Sequence, residues 1–202
     1  MNEIDETQAT YSQIAADYAV VRRERAGIAE QLAQFVALLP RPGVVLDIGC
    51  GPGYDTALLA ERGLTAVGLD LSLAMLCAAG NQRRYNLVQA DMRNLPLSAT
   101  AVGIWACASL LHLPQTAVPA TLREFARVLQ PGGILYLSVK QGDGDQWTAT
   151  AYGHTARRYF AFWQPDTLAQ QLAAAGFAIL EQFSYAWPET NWLICYAQKK
   201  QK

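Results

Sequence analysis

The chain has 202 residues, 51% of them hydrophobic and 16% charged, with a formal net charge of −1. That apolar content excludes a disordered polar chain, and the length fits one large domain better than two. A near-neutral balance gives no global positive field to draw a nucleic-acid backbone, so no nucleic-acid partner is expected.

The first ten residues, MNEIDETQAT, are polar and acidic and lack the basic start and apolar stretch of a signal peptide. No segment approaches the roughly 18 uninterrupted apolar residues of a membrane span. The four cysteines, Cys50, Cys77, Cys107 and Cys195, form no CxxC pair, and there are only two histidines. The expectation is a reduced, cytoplasmic protein with no membrane partner and no metal site.

Helical spacing of Ile28, Leu32, Phe35, Val36 and Leu39 predicts a helix over 26–39, stopped by Pro40-Arg41-Pro42-Gly43. Val44 to Ile48 is short, branched and apolar, as in a strand covered on both faces. A turn over 49–53 and a helix from Thr56 to Glu61 follow. Ala66 to Asp70 reads as a second strand, with Ser72 as N-cap of the next helix. Further strands are predicted at Asn86–Gln89, Val102–Ala108 and Ile134–Val139, with a helix at Thr121–Leu129 and Pro119 near its first turn. Pro131-Gly132-Gly133 breaks the chain before the fifth strand. The segment 141–163, rich in Gly, Asp and aromatics, reads as irregular. Pro165 to Ala175 forms a helix closed by Gly176, and Phe177–Tyr185 and Asn191–Gln198 form two last strands whose short link favours antiparallel pairing. The fold class is α/β: an open sheet, mostly parallel with an antiparallel edge strand, and helices on both faces.

The most informative stretch is Asp47-Ile48-Gly49-Cys50-Gly51-Pro52-Gly53, between a strand and a helix. Ligands of open α/β sheets bind beyond the carboxyl ends of the strands, and glycines there let the backbone approach them. A dinucleotide fingerprint fits poorly: Tyr54 stands at the third glycine position, and Pro52 has no N–H for a pyrophosphate. Asp70 ends the second strand, where a carboxylate can accept from ribose hydroxyls. Asp91 follows the third strand and precedes Met92, an acceptor beside an apolar surface that suits an adenine ring.

These segments together resemble the class I S-adenosylmethionine-dependent methyltransferases, particularly the small-molecule group. VLDIGCGPG at 45–53, VGLDLS at 67–72 and QADMRNLP at 89–96 look like their first three motifs, and WACASLLHL at 105–113 and LREFARVLQPGGILYLSVK at 122–140 like later ones. YSQIAADYA at 11–19 and QPDTLAQQLAAAGF at 164–177 also fit. The resemblance implies a Rossmann-like domain over 1–202. Within it, 1–42 is an N-terminal helical segment or lid, 43–140 the cofactor core, 141–163 the substrate side, and 164–202 a C-terminal helix and strand pair. It implies S-adenosylmethionine as cofactor. Gly49, Cys50 and Gly51 would lie at its methionine portion with Asp47 on the amino group. Asp70 falls to the ribose, Leu71 to the adenine, and Asp91 with Met92 to the adenine edge. The backbone at Ala106 and Cys107 would face the methionyl end. Singly, Leu71 and Met92 also suit a core, and the aspartates also suit strand-end caps.

Methyl transfer from a sulfonium needs positioning and exclusion of water more than acid–base help, so no triad is required and none is present. His112, just past the fourth strand, is the candidate base, with a packing role as the alternative; His154 stands likewise. The acceptor, a small molecule, would sit between the segment carrying Tyr11, Tyr18, Arg22, Arg23 and Arg25 and the stretch Trp147–Trp163. Tyr152, Arg157, Arg158, Tyr159, Phe160 and Phe162 lie in the latter. Aromatics there suit an apolar lid, and the arginines suit an anionic acceptor or plain surface charge. A monomer or homodimer is expected. The rival functions are a non-catalytic S-adenosylmethionine-binding module and a nicotinamide-dependent oxidoreductase.

Overall fold

The computed structural model describes residues 2–24, 27–78, 80, 85–187 and 190–201, the Trp187 side chain excepted. Arg25, the start of the 26–39 prediction at Ala26, and Pro188 of the last strand connection lie outside them. Helix α1 (Glu3–Val21) starts under the Asn2 side chain, whose carbonyl accepts from Ile4 N and Asp5 N. Three acidic residues in its first turn suit the positive end of the helix dipole. After α2 (Ala29–Leu38) the chain alternates through β1 (Val44–Ile48), α3 (Tyr54–Glu61), β2 (Thr65–Asp70), α4 (Leu73–Cys77) and β3 (Asn86–Gln89). It continues through β4 (Ala101–Cys107), a single 3₁₀ turn at Leu110–His112, α5 (Val118–Val128) and β5 (Leu129–Gln141). Then come β6 (Asp145–Ala151), β7 (His154–Trp163), α6 (Pro165–Ala174), β8 (Phe177–Trp187) and β9 (Thr190–Lys199).

Strands β3, β2, β1, β4 and β5 lie side by side in that order and run parallel. The expected antiparallel members are β9, paired with β5 from Ile134 to Lys140, and β8, paired with β9. Alternate strand residues go to opposite faces, and each face has its own core. Leu46, Ile48, Ile104, Leu135 and Leu137 pack with α5 and α6 through Leu122, Phe125, Leu168 and Leu172. Val45, Trp105, Ile134 and Tyr136 pack with α2 and α3 through Leu32, Phe35 and Leu59. The Pro131-Gly132-Gly133 break takes the form of a bulge: β4–β5 pairing jumps from Ala101↔Leu129 to Gly103↔Ile134.

The segment 141–163 is regular, contrary to expectation. Strands β6 and β7 form an antiparallel hairpin whose two-residue turn, Tyr152-Gly153, has φ of +49° and +82°. Positive φ at both positions is the turn geometry that matches strand twist. β7 joins the sheet by pairing with β5 only at Lys140↔Phe162 and Gln141↔Trp163. Those pairs lie beyond Cys107↔Ser138, where β4 stops. The hairpin therefore stands over the carboxyl end of β4, beside the point where strand order reverses between β1 and β4. Helix α1 fastens it there: Thr10 Oγ1 donates to the Arg157 carbonyl (2.5 Å), and Tyr159 N donates to Thr7 Oγ1 (3.0 Å).

Candidate functional site

Beyond Ile48 the chain turns through Gly49, Gly51 and Gly53, with φ of +72°, +54° and +80°, the region glycine enters without steric cost. At Gly49 there is a second requirement, since a Cβ would lie 2.3 Å from Cβ of Ser109. Gly49 N and Cys50 N both donate to the Leu69 carbonyl (2.7 and 3.1 Å), tying the loop to the end of β2. Asp70 completes the tie. Its Oδ2 accepts from Gly51 N and its Oδ1 from Ser72 N, both at 2.8 Å. One carboxylate thus orders the glycine loop and the start of α4, and each oxygen keeps lone-pair capacity for another donor. Burial pushes the Asp70 carboxyl above its usual range, against the pull of those two N–H groups. Asp47, buried in β1, accepts from Thr56 Oγ1 of α3 at 2.6 Å. The Cys50 thiol is pushed well up, by burial first and then by Asp47 and Asp70.

Two adjoining cavities open on this loop. The smaller, about 110 Å³, is lined by Gly49, Gly51, Asp70, Leu71, Asp91 and Met92, with Gln8 and Tyr11 from α1. The wider, about 450 Å³, is lined by Asp47, Cys50, Tyr54 and Asp55 together with Lys140, Tyr152, Arg158 and Phe160. Tyr11, Tyr18, Gly49, Cys107, Ala108 and His112 border both. A molecule in one cavity meets a molecule in the other at those residues.

His112 is at this junction but is fully engaged. Its Nδ1 lies 2.8 Å from the Tyr159 carbonyl, which can only accept, so Nδ1 carries the proton. Nε2 is then the acceptor of the Tyr11 hydroxyl, also at 2.8 Å. The ring is tilted against Phe160 at 4.8 Å. Burial pushes the His112 pKa down to about 4, helped by the nearby charges of Arg158 and Lys140 and opposed by the Tyr159 hydrogen bond. Burial likewise pushes Tyr11 up to about 12, against Arg158. In this arrangement the His112 ring is neutral and both its nitrogens are engaged, with Nε2 holding the Tyr11 hydroxyl. His154 lies away from both cavities, with Nε2 2.7 Å from Asp17.

Three expected site residues sit elsewhere. Arg157 faces outward, paired with Glu6 at 3.3 Å and stacked over Trp147 at 4.4 Å. Strand alternation turns its neighbour Arg158 inward instead. The Tyr159 ring lies on the same side of β7 as Arg157, buried edge-on to Trp147; its carbonyl, not its hydroxyl, reaches the site. Ala106 is fully buried in the α5 core and borders neither cavity. Asp91 lines the smaller cavity while holding Arg93, with Nη2 2.6 Å from Oδ2. Partial burial works to raise the Asp91 carboxyl, but the Arg93 hydrogen bonds prevail and lower it.

Sequence reasoning missed Lys140, Ala108 and Ser109. Lys140 was legible as the last charged residue of the fifth strand, on the side where ligands bind. Ala108 has a φ of +54°, which no residue type signals. It is held by Ser138, whose carbonyl and Oγ both accept from Ala108 N (3.1 and 2.8 Å).

A methyltransferase-domain family model matches residues 20–182. The malonyl-[acyl-carrier protein] O-methyltransferase of Legionella pneumophila is 31% identical over 158 residues, 73% of this chain and 54% of that protein. The trans-aconitate 2-methyltransferase of Deinococcus radiodurans is 41% identical over 109 residues, 51% of this chain and 41% of that protein. This chain spans between about a quarter and just over a half of the first curated relatives it matches. Among solved structures, the Burkholderia thailandensis 1,6-didemethyltoxoflavin-N1-methyltransferase, with its substrate and S-adenosylhomocysteine bound, superposes with a TM-score of 0.74. It is 26% identical, over 96% of this chain and 87% of that one. The chain belongs to the S-adenosylmethionine-dependent methyltransferase family.

Proposed function

We propose that this chain binds S-adenosylmethionine at the glycine loop and transfers its methyl group to a small molecule held in the wider cavity. The observation that carries the reading is the junction itself: two cavities, one on the Asp70 side and one under the hairpin, share the wall formed by Gly49, Cys107, Ala108 and His112.

The residues present fit the cofactor. Gly49 and Gly51 leave a backbone cradle that a Cβ would fill. Asp70 offers acceptors for the ribose, and Leu71 and Met92 supply apolar walls for the adenine, with Asp91 at its edge. Asp47 and Cys50 lie on the methionyl side. When bound, the cofactor supplies a sulfonium-activated methyl carbon. The chain's own residues position and enclose: Tyr11 and Tyr18 on α1 cover the junction, and His112 fixes the Tyr11 hydroxyl. Water exclusion and alignment account for the acceleration.

The test is turnover. Incubation with S-adenosylmethionine and a broad set of small acceptors, following S-adenosylhomocysteine by chromatography, is expected to show formation above the protein-free blank with at least one acceptor. Cofactor binding with no turnover across the set would favour the non-catalytic module instead.

A further inference from the structure

The wider cavity has a polarity that methyl transfer alone does not require. Asp47 and Asp55 line its glycine-loop end and are engaged inside the protein, Asp47 by Thr56 and Asp55 by the Trp105 indole N–H at 2.9 Å. Glu24 also borders it. On the hairpin side, Lys140 Nζ sits 3.9 Å from the centroid of Phe160, and Arg158 Cζ lies 5.2 Å from the same ring. Two cations thus share one aromatic ring at the cavity wall. Among the described residues neither has a carboxylate partner, whereas the outward Arg157 has Glu6. Arg158 Nε is buried without a hydrogen-bond partner.

Like charges held together and partly desolvated are unfavourable until a counter-ion arrives. Lys140 shows the strain: burial first, and then the charge of Arg158, push its pKa below the usual value. Aromatic faces offset part of the cost, but they do not neutralise charge. The arrangement persists at a cavity wall, where a ligand can supply what the protein does not.

We propose that the acceptor is a small carboxylic acid whose carboxylate is clamped by Lys140 and Arg158. This rests on the methyltransferase reading above. The guanidinium fork takes a carboxylate in two parallel hydrogen bonds, and the ammonium adds a third donor. The clamp stands beside Phe160 and His112, so the acid is held by one end with the remainder directed along the apolar wall of Tyr136, Trp192 and Ile194. The two curated relatives described above act, by name, on a malonyl group and on trans-aconitate, both of which carry carboxylates.

The experiment pairs a panel of mono-, di- and tricarboxylic acids, trans-aconitate included, with their carboxamides. Methyl transfer is followed from labelled S-adenosylmethionine, with S-adenosylhomocysteine binding measured on the same protein. The best acceptor is expected to be an acid whose amide is turned over roughly 30-fold less efficiently, the scale of a lost charge-assisted hydrogen bond. Arg158→Gln and Lys140→Gln should each raise the KM of that acid by about tenfold or more without changing S-adenosylhomocysteine affinity. Arg158→Lys should recover part of the loss, and Arg157→Gln should leave KM unchanged. Amides serving as well as acids, an unchanged KM in both glutamine variants, or tight cofactor binding with no acid turned over would each overturn the clamp. Failure to bind S-adenosylhomocysteine at all would instead remove the reading on which it stands.

Discussion

Asp70 holds together three pieces of backbone with one carboxylate: the end of β2, the glycine loop at Gly51, and the start of α4 at Ser72. Its proposed contact with the ribose adds to that duty, so Asp70→Asn removes charge from an assembled site and leaves one oxygen replaced by a donor facing an N–H. S-adenosylhomocysteine affinity is expected to fall between about 10- and 100-fold, from the worth of charged hydrogen bonds, read by calorimetry. His112 makes a different prediction. Its folded pKa of about 4 lies below the ordinary imidazole value of 6.5, so the unfolded chain binds more protons between those values. The stabilising contribution is therefore complete above pH 6.5 and is lost as pH falls toward 4. The groups facing the ring are Tyr11, the Tyr159 carbonyl, Arg158, Lys140 and Phe160, none of which supplies a negative charge to reverse the sign. Because the ring borders a cavity, the loss is on the order of 2 kcal/mol rather than the full shift. Thermal melts from pH 7 to 5 should show a steeper decline for the wild type than for His112→Gln. The log of kcat/KM should show no inflection near 6.5. The placement of Asp47, Gly49, Gly51 and Asp70 at the crevice was legible from sequence because it follows from local backbone chemistry at a strand end. The exchange of Arg157 for Arg158 was not, because it depends on the strand register of a segment that carried no periodic signal.

Helix α1 and the β6–β7 hairpin form one half of the site. Both lie over the carboxyl ends of the strands, and they are joined by Thr7, Thr10 and the Tyr11–His112–Tyr159 chain. Gln8 Nε2 also donates to the Leu71 carbonyl (3.3 Å), and Ser12 and Ser72 share a hydrogen bond of 3.0 Å. A ligand in the smaller cavity touches α1 through Gln8, Tyr11 and Tyr18. Amide exchange over 4–18 and 145–163 should therefore slow together when S-adenosylhomocysteine is added. Protection confined to 47–72 would mean that α1 is not part of the binding unit. The core elements were readable because buried parallel strands are short apolar runs between turn residues. The hairpin was not, since Tyr152 occupies a left-handed turn position where glycine or asparagine is the usual signal. The bulge at 130–133 likewise extends β5 across a Pro-Gly-Gly run that reads as a break.

The molecule divides its apolar material between two faces of one twisted sheet, and the point of strand reversal is left for ligands. Among the described residues no helix is long and apolar enough to cross a membrane. What distinguishes this sheet from others that bind nucleotides is the chemistry of its first crevice. Pro52 removes an N–H from the α3 N-terminus, and the Tyr54 hydroxyl donates to the Ala19 carbonyl (2.7 Å), linking that helix start to α1. Asp70, Asp47 and the apolar wall of Leu71 and Met92 suit the proposed sulfonium nucleoside better than a diphosphate. Calorimetric titration of the folded protein with S-adenosylhomocysteine and, separately, with NAD tests this most directly. One-to-one binding of the first, with no heat from the second, is expected. A folded sample that ignores S-adenosylhomocysteine, or takes NAD in its place, would contradict it.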